Sequence, residues 1–436
     1  MSSAEQHVHD LVGIGFGPSN LALAIALRER QTRTGDQVDA VFLDKQPAFG
    51  WHRGMLLEGT TMQVSFLKDL VTMRNPTSEF SFLCYLQDKG RMLDFINHKT
   101  MFPSRLEFHD YLEWAAARFT EEVEYASEVV AVTPVEVDGT IEFLDVVVRQ
   151  GDGTLVTRRG RNLVLAAGLE PVLPDGMVSD ERVWHSEELL KKLPALRDPR
   201  RFVVVGAGQS AAEVTEHLHS VFPDAEVCAV FAKYGYTPAD DSSFANRIFD
   251  PVAVDHFYAA PDEVKTRLRA YHASTNYSVV DMEVIDELYR RHYQEKVQGK
   301  ERLRILNASR LAGVERDESG LRATVEFLPT GERTLLEADV MVYATGYRPA
   351  DPLTLLGATG ELCERLPGGG VRLGRDYRIV TSQAMRCGIY VQGASEHTHG
   401  LTSTLLSNTA VRVGEIAESV ADQLRSGSLS SYALSR

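Results

Sequence analysis

Cysteine is scarce in this chain: four among 436 residues, at positions 84, 228, 363 and 387. The four are widely separated. No Cys-x-x-Cys pair exists to run dithiol redox chemistry, and together with His397 and His399 they form no set at zinc-ligand spacing. A metal centre is therefore not expected. The chain also lacks any apolar run near the ~20 residues that a membrane-spanning helix needs. Positive charge is short as well: 46 Lys and Arg stand against 61 Asp and Glu, a net charge of −15. That balance argues against nucleic acid or an anionic membrane as partner. The stretch Met1 to Gln6 carries neither the basic nor the apolar region of a signal peptide, so a cytoplasmic location is expected.

What the chain does have is two glycine-rich turns about 190 residues apart: Gly15-Phe16-Gly17-Pro18-Ser19-Asn20 and Gly206-Ala207-Gly208-Gln209-Ser210-Ala211. Each closes an apolar run and opens a helix-like stretch. In such a turn the first Gly makes the bend, the second lets backbone approach a pyrophosphate, and a small third residue lets helix pack on strand. The anion then sits at a helix N-terminus, where free N–H groups and the dipole favour it. Asn20 departs from the pattern at the third position. After the first turn, Ala40-Val41-Phe42-Leu43-Asp44 reads as a strand ending in an acid, placing Asp44 to accept hydrogen bonds from an adenosine ribose. After the second, Glu226 to Phe231 ends without an acid and is followed by Ala232 and Lys233, which suits a 2′-phosphate and favours NADP over NAD. One chain holding two dinucleotides points to redox chemistry.

The length allows two or three domains. The fold class expected is α/β, with two Rossmann-like dinucleotide-binding domains and a helical insertion. Residues 1–195 and 336–436 are expected to form one discontinuous domain, with Asp339 to Tyr347 returning the chain to it and Leu165-Ala166-Ala167-Gly168 as the earlier counterpart of Ala344-Thr345-Gly346. Residues 196–335 form the second, and inside it 238–299 read as an inserted, mainly helical segment. The Ser-rich tail from Ser426 to Ser431 is expected to be disordered.

Several stretches together resemble one family. These are Gly13 to Asn20, Met62 to Leu70 (Met-Gln-Val-Ser-Phe-Leu-Lys-Asp-Leu), Arg74 to Ser78, Phe102 to Arg105, Gly208 to Glu213, Asn276 to Val280, Ala344 to Tyr347, and His399 through Ser407. They run in order over nearly the whole chain. The chain is similar to the flavin-dependent N-hydroxylating monooxygenases of siderophore and related natural-product pathways, above all the L-ornithine N5-monooxygenases.

The resemblance implies FAD in the first domain and NADPH in the second. It implies flavin contacts from Gly15, Gly17 and Asn20, from the stretch Asp44 to His52 including Lys45, Trp51 and His52, from Gln63 beside the isoalloxazine, and from Val129, Thr404, Leu405 and Leu406. NADPH contacts would come from Arg105, Gly208, Gln209, Ser210, Ala211, Asn276, Tyr277 and Ser278. An arginine that many relatives use for the 2′-phosphate falls at Ala232 here, leaving Lys233 as its neighbouring substitute. For substrate the resemblance implies Lys68 and Asn246 on the amino-acid carboxylate, with Phe249, Asn276 and Ser407 completing the pocket. A cation suits a carboxylate, and neutral amides orient a zwitterion without adding unpaired charge. No side chain is assigned as a general acid or base; Gln63 and Asn276 support a flavin-centred reaction. NADPH would reduce FAD, O₂ would add to give a C4a-hydroperoxide, and its distal oxygen would pass to the side-chain amine of L-ornithine. Relatives are often tetramers, so a homo-oligomer, tetramer or dimer, is expected. L-Lysine and diamines are alternative substrates, since one methylene is worth only about 1 to 3 kcal/mol in a pocket. Carboxylate contacts disfavour the diamines. A Baeyer–Villiger-type monooxygenase is a rival whose Phe-x-Gly-x-x-x-His signature is absent before the second turn, and a nucleotide-binding sensor would have no use for the substrate set.

Overall fold

The computed structural model describes residues 7–317, 320–382 and 385–426. The tail beyond Ser426 and the first six residues, on which two of the expectations fall, lie outside the described residues.

Two five-stranded sheets, parallel throughout, organise the chain. The first runs Gly388–Val391, Asn162–Leu165, Leu11–Ile14, Ala40–Leu43 and Val123–Glu124. The second runs Val183–His185, Val340–Tyr343, Arg201–Val205, Glu226–Val230 and Leu303–Leu306. Their strands are apolar runs because both faces are covered. Phe202, Val204 and Val342 pack on one side of the second sheet and Val203, Met341 and Tyr343 on the other. Each sheet is accompanied by an antiparallel meander: Ser127–Val137, Thr140–Gln150 and Leu155–Gly160 with the first, Ser309–Asp317, Gly320–Phe327 and Arg333–Ala338 with the second.

Sheet membership moves the expected boundaries. Val183–His185 and Val340–Tyr343, which the sequence reading put with the first unit, pair inside the second sheet. The chain crosses between sheets at Leu169–Pro171 and Tyr347–Pro349, which pair with each other antiparallel. These crossings follow the Ala166-Ala167-Gly168 and Ala344-Thr345-Gly346 turns, so those two motifs do mark the transit. The inserted segment also ends earlier than expected. Helix Met282–Gln298 buries Leu288 against Ala212 and Leu303, covering the second sheet as an ordinary crossover helix. The preceding pieces Ala245–Phe249, Pro251–Ala259 and Asp262–His272 are helical as anticipated.

The two turns are built alike. Gly15 N donates to Leu43 O and Ala166 N to Ile14 O; Gly206 N donates to Val230 O and Ala344 N to Val205 O. Gly15 has φ +83°, and a Cβ there would lie 2.5 Å from Ala166 O; at Gly206, φ +147°, it would lie 2.4 Å from Ala344 O. Both first glycines are thus demanded by backbone conformation and by a carbonyl pressed against them. Helix Pro18–Thr34 starts at Gly17 and helix Gln209–Val221 at Gly208, each without a side-chain cap.

Gly35 provides a control for the first turn. It has φ +81° at a helix C-terminus with open space where a Cβ would go. Gly35→Ala is expected to cost about 1 kcal/mol, the left-handed penalty alone. Gly15→Ala is expected to cost clearly more, roughly 2 kcal/mol or above, because Ala166 must also move. Denaturant titration of the two variants checks the difference; equal losses would remove the close-approach argument.

Candidate functional site

Asn20 explains why the first turn needs no third glycine. It is fully buried, its Nδ2 donating to Gly15 O at 2.7 Å and Ile14 O at 3.3 Å while its Oδ1 accepts from Gln392 Nε2 at 2.9 Å. The amide therefore staples the turn to its own strand. Asp44 accepts from Phe16 N at 2.6 Å and from Gln46 N at 2.8 Å, so the strand-end acid stands beside the turn as the sequence places it. Lys45 is exposed, Val129 is buried, and Trp51 meets His52 edge to face with ring centroids 4.5 Å apart. Desolvation by surrounding protein and then the Arg105 cation lower the His52 pKa below its ordinary value, although the residue keeps exposed surface.

At the second turn, Gly208, Lys233 and Ser278 come together. A Cβ on Gly208 would lie 3.6 Å from the Ser278 Cα, and Lys233 Nζ donates to Ser278 O at 2.6 Å. Ser278 holds φ +55°, an uncommon conformation for serine that turns the Asn276–Ser278 stretch toward the helix start. The Tyr277 hydroxyl donates to Glu396 and lies within reach of Asn276 and Thr404, tying this stretch to the loop before the last helix.

Arg105, expected to meet NADPH, is already engaged. Its guanidinium makes a bidentate pair with the buried Glu213, at 2.9 and 2.8 Å, and donates to Met55 O at 3.1 Å. Glu213 also accepts from Gln209 Nε2 at 2.9 Å, and Gln209 Nε2 reaches Asp281 Oδ2 at 3.0 Å. Asp281 Oδ1 then accepts from Gln63 Nε2 at 3.2 Å. The chain Arg105, Glu213, Gln209, Asp281, Gln63 thus connects the second turn to the residue expected beside the flavin. Burial raises the Asp281 carboxyl above its ordinary value, with Gln63 opposing that shift.

Lys68 sits with its ammonium 5.3 Å over the Phe249 ring. Burial lowers its pKa and Asp250 partly restores it. A structural pair with Asp69 is not what holds it there: Asp69 accepts from Val71, Thr72 and Phe82 backbone N–H groups instead. Asn246 donates from Nδ2 to Asp241 O at 2.7 Å, which fixes the turn bearing Phe249. That turn packs against Leu401–Thr404. Next to it, Leu405 and Leu406 are half-buried, and Ser407 Oγ and Asn408 Oδ1 are buried without a hydrogen-bond partner.

These features fit dinucleotides at both turns. The helix N-termini are uncapped, and the space beside Gly17 is open for close backbone approach. Sequence reasoning missed Asp250, Asp281, Gln392, Glu396 and Arg412. Asp281 follows directly on the Asn276 to Val280 motif and was legible as part of it; the others carry no local signal.

Sheets, turns and polar network together define a two-dinucleotide oxidoreductase fold. Comparison with known proteins narrows it. The model of the L-lysine 6-monooxygenase/L-ornithine 5-monooxygenase family matches residues 7–349. The chain is 38% identical to the L-ornithine N(5)-monooxygenase of Pseudomonas aeruginosa, over 98% of this chain and 96% of that one. Among solved structures, the ornithine N-hydroxylase of Kutzneria sp. 744, described with reduced FAD, NADP⁺ and L-ornithine, superposes with a TM-score of 0.92 at 45% identity, covering 96% of this chain and 100% of the other. The L-lysine 6-monooxygenase of Pseudomonas syringae follows at TM-score 0.84 and 32% identity, covering 95% of this chain and 100% of that one. The chain belongs to the L-lysine 6-monooxygenase/L-ornithine 5-monooxygenase family. No helix among the described residues is long and apolar enough to cross a membrane.

His399, in the motif that closes the site, gives the protein an acid-sensitive element. It is 1% exposed, stacked on Tyr377 at 4.0 Å, with Nε2 at 3.1 Å from Arg375 O. Burial lowers it to about 3, with the Arg375 and Arg412 charges adding to that. The unfolded chain would take up this proton near the ordinary histidine value of about 6.5 while the folded chain would not, so stability is lost as pH falls from there toward 3. The slope approaches about 1.36 kcal/mol per pH unit, roughly 2 kcal/mol by pH 5. Urea unfolding of wild type and His399→Phe at pH 7, 6 and 5 is expected to show the variant's acid limb shallower by that amount.

Proposed function

We propose that the protein is a FAD-dependent L-ornithine N5-monooxygenase that consumes NADPH and O₂. The observation that carries this reading is a cation, Lys68, held over Phe249 next to the Ala245–Phe249 turn and the Leu401–Thr404 loop, in a chain that also bears two dinucleotide turns. A nucleotide-binding sensor has no use for such a pocket. FAD would lie at the Gly15–Asn20 turn and NADPH at the Gly206–Ala211 turn, the first sheet and its meander forming the FAD domain and the second sheet the NADPH domain.

Bound FAD would supply the O₂ activation and the oxygen transfer that no protein side chain can perform. The chain's residues bind and orient. Lys68 pairs with the α-carboxylate, and Asn246 and Asn276 orient the amino-acid end. Ser407 offers its free hydroxyl. Gln63, which would lie beside the isoalloxazine, is held by Asp281, and Asp281 is held in turn by Gln209. The amine must react as the free base. With an ordinary pKa of about 10.4 it needs roughly 3 kcal/mol of help at pH 8, at about 1.36 kcal/mol per unit. Desolvation in an apolar pocket supplies a shift of that size, so no general base is required.

Association into a homo-oligomer belongs to this reading. It is supported by exposed Leu93, Ile96, Met101, Phe102 and Leu106, apolar side chains gathered within fourteen residues of sequence. A cytoplasmic site of action is part of it as well.

Hydroxylamine formed per NADPH consumed, with FAD-loaded protein and L-ornithine, L-lysine, putrescine or cadaverine, tests the proposal. Near-unit coupling is expected with L-ornithine. Coupling with L-lysine would reassign the substrate within the family, and no hydroxylamine from any amine would overturn the reading. Lys68→Met is expected to raise KM for L-ornithine by about 10- to 100-fold while NADPH binding is unchanged, as removal of a charged hydrogen-bond partner should.

A further inference from the structure

Arg412, on helix Thr409–Ser426, is buried to 2% exposure, and every hydrogen bond it makes goes to a neutral oxygen. Its Nη1 donates to Ser403 O at 2.7 Å, its Nη2 to Thr409 Oγ1 at 3.2 Å and Ser19 Oγ at 3.3 Å, and its Nε to Gln392 Oε1 at 3.3 Å. Among the described residues no carboxylate lies within ion-pair distance of it. A buried guanidinium without a direct ion pair carries a desolvation penalty, and Glu415, whose carboxylate is already paired with Arg375, offsets it only in part and from beyond ion-pair distance. The other buried arginine on the neighbouring helix is unlike it: Arg30 has Glu418 and Asp36 as partners.

The connections of Arg412 lead to one place. Ser19 belongs to the first glycine turn. Gln392, which accepts from Arg412, donates to Asn20 Oδ1 at 2.9 Å and to Ser19 O at 3.4 Å, and Asn20 holds Gly15 O. The guanidinium therefore backs the start of helix Pro18–Thr34, where free N–H groups already favour an anion.

We propose that Arg412 is a positioning residue for FAD, with the dinucleotide's pyrophosphate as the nearby counter-charge that no carboxylate of the chain supplies within ion-pair distance. This rests on the reading that FAD occupies the first turn. The pyrophosphate of FAD at the helix start would offset the remaining desolvation cost of the cation. Arg412 acts through Ser19 and the Gln392–Asn20 pair rather than by contact with the reacting atoms.

The test reconstitutes apoprotein with FAD, and separately with riboflavin, which has no phosphate, and records thermal unfolding with and without each. Wild type must bind FAD; if it does not, the FAD reading itself fails. Arg412→Met is expected to bind FAD at least about 30-fold more weakly, with riboflavin affinity changed less than threefold and the unfolding temperature of the apoprotein equal or higher. Arg412→Lys keeps the charge and is expected to regain most of the FAD affinity. Gln392→Glu is a second, near-isosteric route that does not depend on Arg412→Met folding. It gives the guanidinium a carboxylate from its own chain while forfeiting the Nε2 donations to Asn20 Oδ1 and Ser19 O, and it is expected to weaken FAD binding about 10-fold or more with riboflavin affinity changed less than threefold. Wild-type FAD affinity in Arg412→Met or in Gln392→Glu, or parallel loss of FAD and riboflavin binding, would overturn the proposal.

Discussion

Everything in this molecule is arranged around two places where a helix must begin with its N–H groups free. Leaving them uncapped costs stability in an ordinary helix, because a Ser, Thr, Asp or Asn cap is typically worth about 1 kcal/mol. Here Gly17 and Gly208 occupy the cap positions and offer no side-chain acceptor. The bend before each is pinned by a carbonyl, Ala166 O or Ala344 O, pressed on the first glycine. Those carbonyls belong to the segments where the chain leaves one sheet for the other, so the turn, the sheet and the crossing are fixed by the same contact.

The two units are joined by polar groups as well as by the paired crossings Leu169–Pro171 and Tyr347–Pro349. Arg105 and Gln63 precede the second sheet in sequence, whereas Glu213, Gln209 and Asp281 lie in or beside it. Glu213 is 2% exposed, so losing Arg105 would leave a buried carboxylate without its cation, a change that typically costs several kcal/mol. Gln209 and Gln63 share Asp281 as hydrogen-bond partner, which ties helix Gln209–Val221 to the segment bearing Gln63.

Much of this was legible in the sequence because the signals are local. A strand, a glycine bend and a helix within twenty residues define each turn, and Ala-Ala-Gly and Ala-Thr-Gly mark the crossings. Sheet membership was less legible: Val183–His185 is three residues long and Val340–Tyr343 four, too short for periodicity to say which sheet they enter. Helix Met282–Gln298 was read as insertion because it exposes Tyr289 and Tyr293 and fully buries only Leu288. In the site, Lys68 and Tyr277 sit in recognisable motifs, but Asp250, whose charge acts on Lys68, and Glu396, which accepts from the Tyr277 hydroxyl, come from distant segments. Arg412 has the spelling of a surface residue one turn into an amphipathic helix; only the packing of the last helix on the first shows it to be internal.

The central claim is that one chain holds two dinucleotides, each at its own glycine turn, with the amino acid between them. A crystal structure of the protein grown with FAD, NADP⁺ and L-ornithine tests it most directly. The account predicts FAD pyrophosphate density at the N-terminus of helix Pro18–Thr34, NADP⁺ density at that of Gln209–Val221, and an ornithine carboxylate on Lys68. Density for one dinucleotide only, or an ornithine carboxylate bound away from Lys68, would contradict it.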